Sequence, residues 1–161
     1  MNQFLVEVNS RLKGNQSHQR KKVERSFEQA GYGKLECVNV GALYRLEGEL
    51  SQSEVQSIAK EILCDTVSEN FTVDPVPQKE QILFADIWYK KGVTDSVAES
   101  LLKAVKDIGI PGLFHAAHGQ RFHFQSALDS GGSSLLEKKV TQFVNENLLN
   151  PLVQECKLTG L

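Results

Sequence analysis

Residues 90–109 read KKGVTDSVAESLLKAVKDIG, and residues 12–31 read LKGNQSHQRKKVERSFEQAG. The two stretches share few letters, yet each has glycine at its third and last positions with helical spacing between. Gly14, Gly31 and Gly41 all lie 78 residues before Gly92, Gly109 and Gly119. Leu35 falls on Leu113 at the same offset, and Gly41-Ala-Leu-Tyr44-Arg-Leu46 matches Gly119-Gln-Arg-Phe122-His-Phe124 in pattern. Upstream the offset is 79: Phe4, Val6 and Val8 fall on Leu83, Ala85 and Ile87, with Glu7 on Asp86. Self-similarity at a fixed offset marks a duplicated unit.

Downstream the offset widens. Ser51 and Glu54, then Ser134 and Glu137, have the spacing of capping boxes that open helices. Ile62-Leu63 and Leu148-Leu149 stand 86 apart, so the second copy gains residues around Ser130-Gly-Gly-Ser133, read as a surface loop. Between the copies, Asp74-Pro-Val-Pro-Gln-Lys-Glu80 carries two prolines among polar residues and reads as a linker. The expected organisation is a first repeat over 1–74, a linker over 75–81 and a second repeat over 82–161.

Each copy reads as strand, helix, strand, strand, helix, strand. Phe4, Val6 and Val8 alternate with Leu5, Glu7 and Asn9, as in a half-buried strand. Val23, Phe27 and Ala30 form one helical stripe; Val97, Leu101, Val105 and Ile108 form its counterpart, after a capping box at Ser96 and Glu99. Gly31 and Gly109 stop these helices. A hairpin is expected at Gly41-Ala42 and another at Gly119-Gln120. Second helices follow, with Val55, Ile58, Ala59 and Ile62 inward in one copy and Val140, Phe143, Val144 and Leu148 in the other. Asn150-Pro151 ends the last helix, and short strands close the copies near 70–73 and 152–158.

This βαββαβ order is that of a ferredoxin-like unit, an antiparallel sheet with both helices on one face. The fold class is therefore α+β, with two ferredoxin-like repeats. Each sheet has a second face that must be covered, and a pseudo-twofold pairing of the copies within the chain supplies the cover. Trp88 and Phe122 are the residues expected on that buried face.

Composition bounds the function. The chain has 161 residues, a formal charge of −2 and 40% apolar residues, a core-forming mixture with no bulk attraction for nucleic acid or anionic lipid. No apolar run has the length of a membrane span, and MNQFLVEVNS is a strand pattern rather than a leader. Cys37, Cys64 and Cys156 are odd in number and unlike metal ligands in spacing, which points to free thiols in a cytoplasmic protein.

The residues suggest no reaction centre. His115, His118 and His123 invite a metal, but His115 and His118 point to opposite strand faces and no carboxylate or thiolate joins them. With a turn at 119–120, His118 and His123 share a face. Phe122 and Phe124 have the spacing of RNA-stacking aromatics, yet the basic signature of such modules is missing. No phosphate loop is present. No cofactor and no catalytic residue is expected.

Four stretches carry a resemblance. Asp86-Ile-Trp-Tyr-Lys-Lys-Gly-Val-Thr-Asp95, the helix ending in Asp107-Ile-Gly109, the strand reaching Gly119-Gln-Arg-Phe, and Leu148-Leu-Asn-Pro-Leu-Val-Gln-Glu155 are similar to PurS, the small subunit of phosphoribosylformylglycinamidine synthase. The resemblance is strong over 82–158 and a matter of layout over 4–74, where Ile62-Leu-Cys-Asp65 answers Leu-Leu-Asn-Pro. The tandem form is similar to the N-terminal region of the large single-chain enzyme. Ser96 stands where the family has proline, and Ser17-His18 stand there in the first copy.

The resemblance implies a non-catalytic assembly subunit of purine biosynthesis. It would bind an ATP-dependent synthetase (PurL-type) and a glutaminase (PurQ-type) so that ammonia passes between them, with further self-association as an option. It offers Lys91, Asp95 and Arg121 as polar partner contacts. The alternative reading is a small-molecule-sensing module built from paired ferredoxin-like units.

Overall fold

In a computed structural model of the chain, the described residues are 1–12, 17–75, 82–125 and 133–159. Among the described residues, six strands and four helices follow in the order β1 (Asn2–Ser10), α1 (Ser17–Gln29), β2 (Glu36–Gly48), α2 (Gln52–Ile58), β3 (Glu69–Val73), β4 (Ile82–Tyr89), α3 (Ser96–Asp107), β5 (Leu113–Gln125), α4 (Ser133–Asn147) and β6 (Gln154–Thr159). A π-helical turn, Ala59–Leu63, prolongs α2. The strands form one antiparallel sheet in the order β3-β1-β2-β5-β4-β6, so the fold is α+β. Exchanging β1, β2 and β3 for β4, β5 and β6 leaves that order unchanged.

The expected hairpins do not form. Glu36–Gly48 and Leu113–Gln125 are each one continuous strand of 13 residues, and they pair with one another along their length. The reason lies in what their glycines do. Gly41 faces Arg121 and Gly119 faces Leu43 in the ladder. A Cβ on Gly41 would stand 3.0 Å from Glu7 Oε1, and one on Gly119 would stand 2.7 Å from the Trp88 ring. These are strand glycines that admit a neighbour's bulk, not turn glycines. The two halves of the sheet therefore join edge to edge, whereas the sequence reading expected one sheet face covered by the other.

Strand parity puts all four helices on one face. Phe4, Val6 and Val8 of β1 lie in register with Leu46, Tyr44 and Ala42 of β2, and Leu83 and Ala85 of β4 with Phe124 and Phe122 of β5. Two cores form on this face, and each draws on both halves of the chain. Val23 and Phe27 of α1 pack with Val140, Phe143 and Val144 of α4 over β4, β5 and the first part of β2. Val55 and Ile58 of α2 pack with Leu101 and Val105 of α3 over β1 and the last part of β2. Neither half closes a core alone.

The helix stripes are narrower than their periodicity suggested. Ala30 is exposed, as are Val97 and Ile108, while Ala98 takes a buried place in α3. Helix α2 starts with the expected capping box: Ser51 Oγ accepts from Glu54 N and Glu54 accepts from Ser51 N. Helix α3 is capped instead by Asp95, which accepts from Ala98 N at 3.0 Å, one residue ahead of the expected Ser96. Phe122 lies on the helix-covered face, so of the two aromatics expected on the opposite face only Trp88 is there. Gly14, residues 76–81 of the expected linker and Ser130-Gly-Gly of the expected loop lie outside the described residues. No helix among the described residues is long and apolar enough to cross a membrane.

Candidate functional site

Two of the stretches that carry the resemblance, 86–95 and 148–155, meet in space. Lys90 N donates to Val153 O at 2.8 Å and Lys90 Nζ to Pro151 O at 2.6 Å, fastening the turn after β4 to the turn before β6. In the second turn, Leu152 N donates to Asn150 Oδ1 at 3.1 Å, and Asn150 N to Gln154 Oε1 at 2.9 Å. With both turns fixed by hydrogen bonds, Leu152 stands at their tip 83% exposed, and Tyr89 beside them is 41% exposed.

The first half builds the same corner from other letters. Arg11 N donates to Ser68 O at 2.8 Å, Val67 N to Asp65 Oδ1 at 3.0 Å, and Asp65 N to Glu69 Oε1 at 3.0 Å. Val67, the counterpart of Leu152, is 87% exposed. Asp65 thus answers Asn150, one residue away from the alignment that the leucine pairs suggested. The pattern rests on side-chain oxygens that Asp and Asn, or Glu and Gln, supply equally, which is why letter matching missed it.

The three residues offered as partner contacts separate. Lys91 is exposed in the turn after β4. Asp95 works inside the chain: beyond capping α3, its Oδ2 accepts from His118 N at 2.8 Å, tying the helix start to β5. Arg121 is buried on the helix-free face, 3% exposed, and does not reach the surface. Its Nε and Nη2 donate to the Asp86 carboxylate at 2.6 and 2.7 Å, and its Nη1 lies 3.5 Å from Glu7 Oε2.

One guanidinium therefore serves two carboxylates that occupy matching places in the halves. Arg121 faces Asp86 in the ladder, whereas the residue facing Glu7 in the first half is Leu43, which is apolar. His123 Nε2 contacts Glu7 Oε1, and its ring lies 4.6 Å from Phe84, over which Arg121 also sits at 4.2 Å. Arg45 covers Trp88 at 5.0 Å. Aromatic faces beneath cations help shield this sheet face from water. The sequence shows Glu7 and Asp86 as a matched pair but not their shared cation, because a glycine in the opposing strand has the look of a turn.

The histidines part as well. His118 is on the helix-covered face with its ring 5.1 Å from that of Tyr44, while His115 and His123 share the opposite face. Without a turn at 119–120, His118 and His123 are on opposite faces, contrary to expectation. Burial lowers the His118 pKa below its usual value, with the nearby Asp95 charge opposing. Among the described residues, no group of three His, Cys, Asp or Glu side chains is placed to hold a metal ion. Burial, with Glu24 adding to it, pushes the Cys37 thiol up to about 12, and burial with Asp86 does the same for Cys156. Such thiols are poor nucleophiles.

Where the helix pairs part, the covered face stays open over the in-register pair Ala42 and Gln120. The groove has a volume of about 380 Å³ and is bordered by Gln19, Tyr89, His118, Leu148 and Gln154. Comparison of the sequence with protein-family models and with curated proteins gave no match.

Proposed function

We propose that this chain is a tandem PurS-like assembly subunit of phosphoribosylformylglycinamidine synthase. In this reading, two ferredoxin-like repeats, related by a pseudo-twofold axis, replace a pair of separate subunits. The symmetric strand order supports it, as do matching positions such as Glu7 and Asp86. The observation that carries the reading is the corner where 90–95 and 148–153 meet, together with its replica at 11 and 65–69. Each corner presents a rigid turn with an exposed aliphatic tip, Leu152 or Val67. A fixed apolar tip gives a partner a contact with little ordering cost.

The chemistry served would be ammonia transfer. Ammonia released into open water is diluted and takes up a proton, which removes its nucleophilic lone pair. Holding a glutaminase against a synthetase raises its effective concentration at the second site, and the holder needs no reacting group. Its task is to bind both enzymes in register.

The test is reconstitution. Glutamine-dependent formation of formylglycinamidine ribonucleotide should require this chain together with the synthetase and glutaminase subunits, while ammonia-dependent synthesis by the synthetase should not. Leu152→Asp should keep the fold, changing stability by no more than about 0.5 kcal/mol, and should lose co-purification with the synthetase. Full glutamine-dependent turnover in the chain's absence would overturn the assignment.

A further inference from the structure

The central groove has a feature that neither packing nor assembly requires. Gln120 is half-buried at the middle of the sheet, where the opposed residue is the small Ala42, and no hydrogen bond to its side-chain amide occurs among the described residues. Two further carboxamides border the same space. Among the described residues Gln19 has no side-chain hydrogen bond, and Gln154 uses its oxygen on Asn150 N, which leaves its amide hydrogens to donate. Tyr89 and a His118 ring that burial holds towards its neutral form add two flat faces. None of the described side chains bordering the groove is charged.

We propose that this groove is a binding site for a flat, uncharged heterocycle of nucleobase type, free or as its nucleoside. A carboxamide offers a donor and an acceptor side by side, the pattern that matches the edge of a base. Aromatic faces at the rim supply stacking, which any base accepts. The volume of about 380 Å³ lies in the range of small-molecule sites and suits a nucleoside. Without a cation among the described wall residues, a phosphate or carboxylate finds no partner charge there. The site adjoins the corner through Tyr89, Leu148 and Gln154 but lies on the helix-covered face and leaves the exposed tips free.

The test uses the full chain without partners. Five nucleosides (adenosine, guanosine, inosine, cytidine, uridine) and their 5′-monophosphates are titrated by calorimetry and saturation-transfer NMR. At least one nucleoside should bind saturably at one site per chain, with its monophosphate no tighter. Gln120→Leu, folded by circular dichroism, should weaken that nucleoside about tenfold, the loss expected for a hydrogen bond of ordinary strength. Ala42→Phe should fill the floor and abolish binding; if it unfolds, Gln120→Leu decides. The proposal falls if no nucleoside saturates, if Gln120→Leu binds as well as the parent, or if the phosphate improves affinity tenfold.

Discussion

Arg121 sits where a mistake would be expensive. Its side chain and those of Glu7 and Asp86 are 3%, 2% and 5% exposed, so each charge has given up water for its neighbours. Arg121→Leu would take the guanidinium from two buried carboxylates, leaving Asp86 stranded and Glu7 with His123 alone, and should destabilise the chain by about 3–5 kcal/mol in urea unfolding. Combining it with Glu7→Gln and Asp86→Asn should recover much of the loss, because the three then have no net charge to strand. The thiols give a second residue-scale expectation. In the unfolded chain Cys37 and Cys156 lose their protons near 9.0, in the fold only near about 12. Their raised values add stability that is complete below pH 9 and declines as pH rises from there to about 12. The urea midpoint should fall across that window, and less steeply in Cys37→Ala.

At the scale of elements, Asp95 shows how one side chain sets both a helix and a strand. Asp95→Ala removes the acceptor for Ala98 N and for His118 N, so the loss should exceed an ordinary cap, about 2 kcal/mol or more against the typical ~1. Hydrogen exchange should quicken at both amides; quickening at Ala98 alone would mean that the link to β5 is unimportant. Much at this scale was legible from sequence. Helix boundaries near 17–30 and 96–108, the Ser51 cap and the alternation of β1 followed from spacing that local sterics enforce. The long central strands were not legible, because a glycine in a strand reads like a turn until the residue opposite is known. Gly41 is explained by Glu7 and Arg121, which lie 34 residues before it and 80 residues after it. The same holds for Phe122, whose face reverses once the turn is removed.

The whole molecule is interlocked. Helix α1 crosses to sit beside α4, and α3 beside α2, so both cores mix residues from the two halves. Separate peptides covering 1–74 and 82–161 should each lack cooperative unfolding, yet give a folded complex with the native near-UV spectrum when mixed. Two independently folded halves would refute the interlock. For a similar reason Phe143→Ala, at 0% exposed, should lower stability by about 3–5 kcal/mol and loosen α1 as well as α4, because its ring meets Phe27 edge-on at 5.1 Å. The candidate site was partly legible at this scale: both corner stretches stood out in the sequence, while their meeting and the groove between helix pairs depend on crossover packing that no local pattern encodes.

A guanidinium shared by two matching acids also makes the halves non-interchangeable. A hypothetical chain holding the leading segment twice would bury a pair of acids with only leucines facing them, and a chain holding the trailing segment twice would crowd a second guanidinium into space made for leucine. At that one spot the halves differ in a way that two identical pieces could not reproduce.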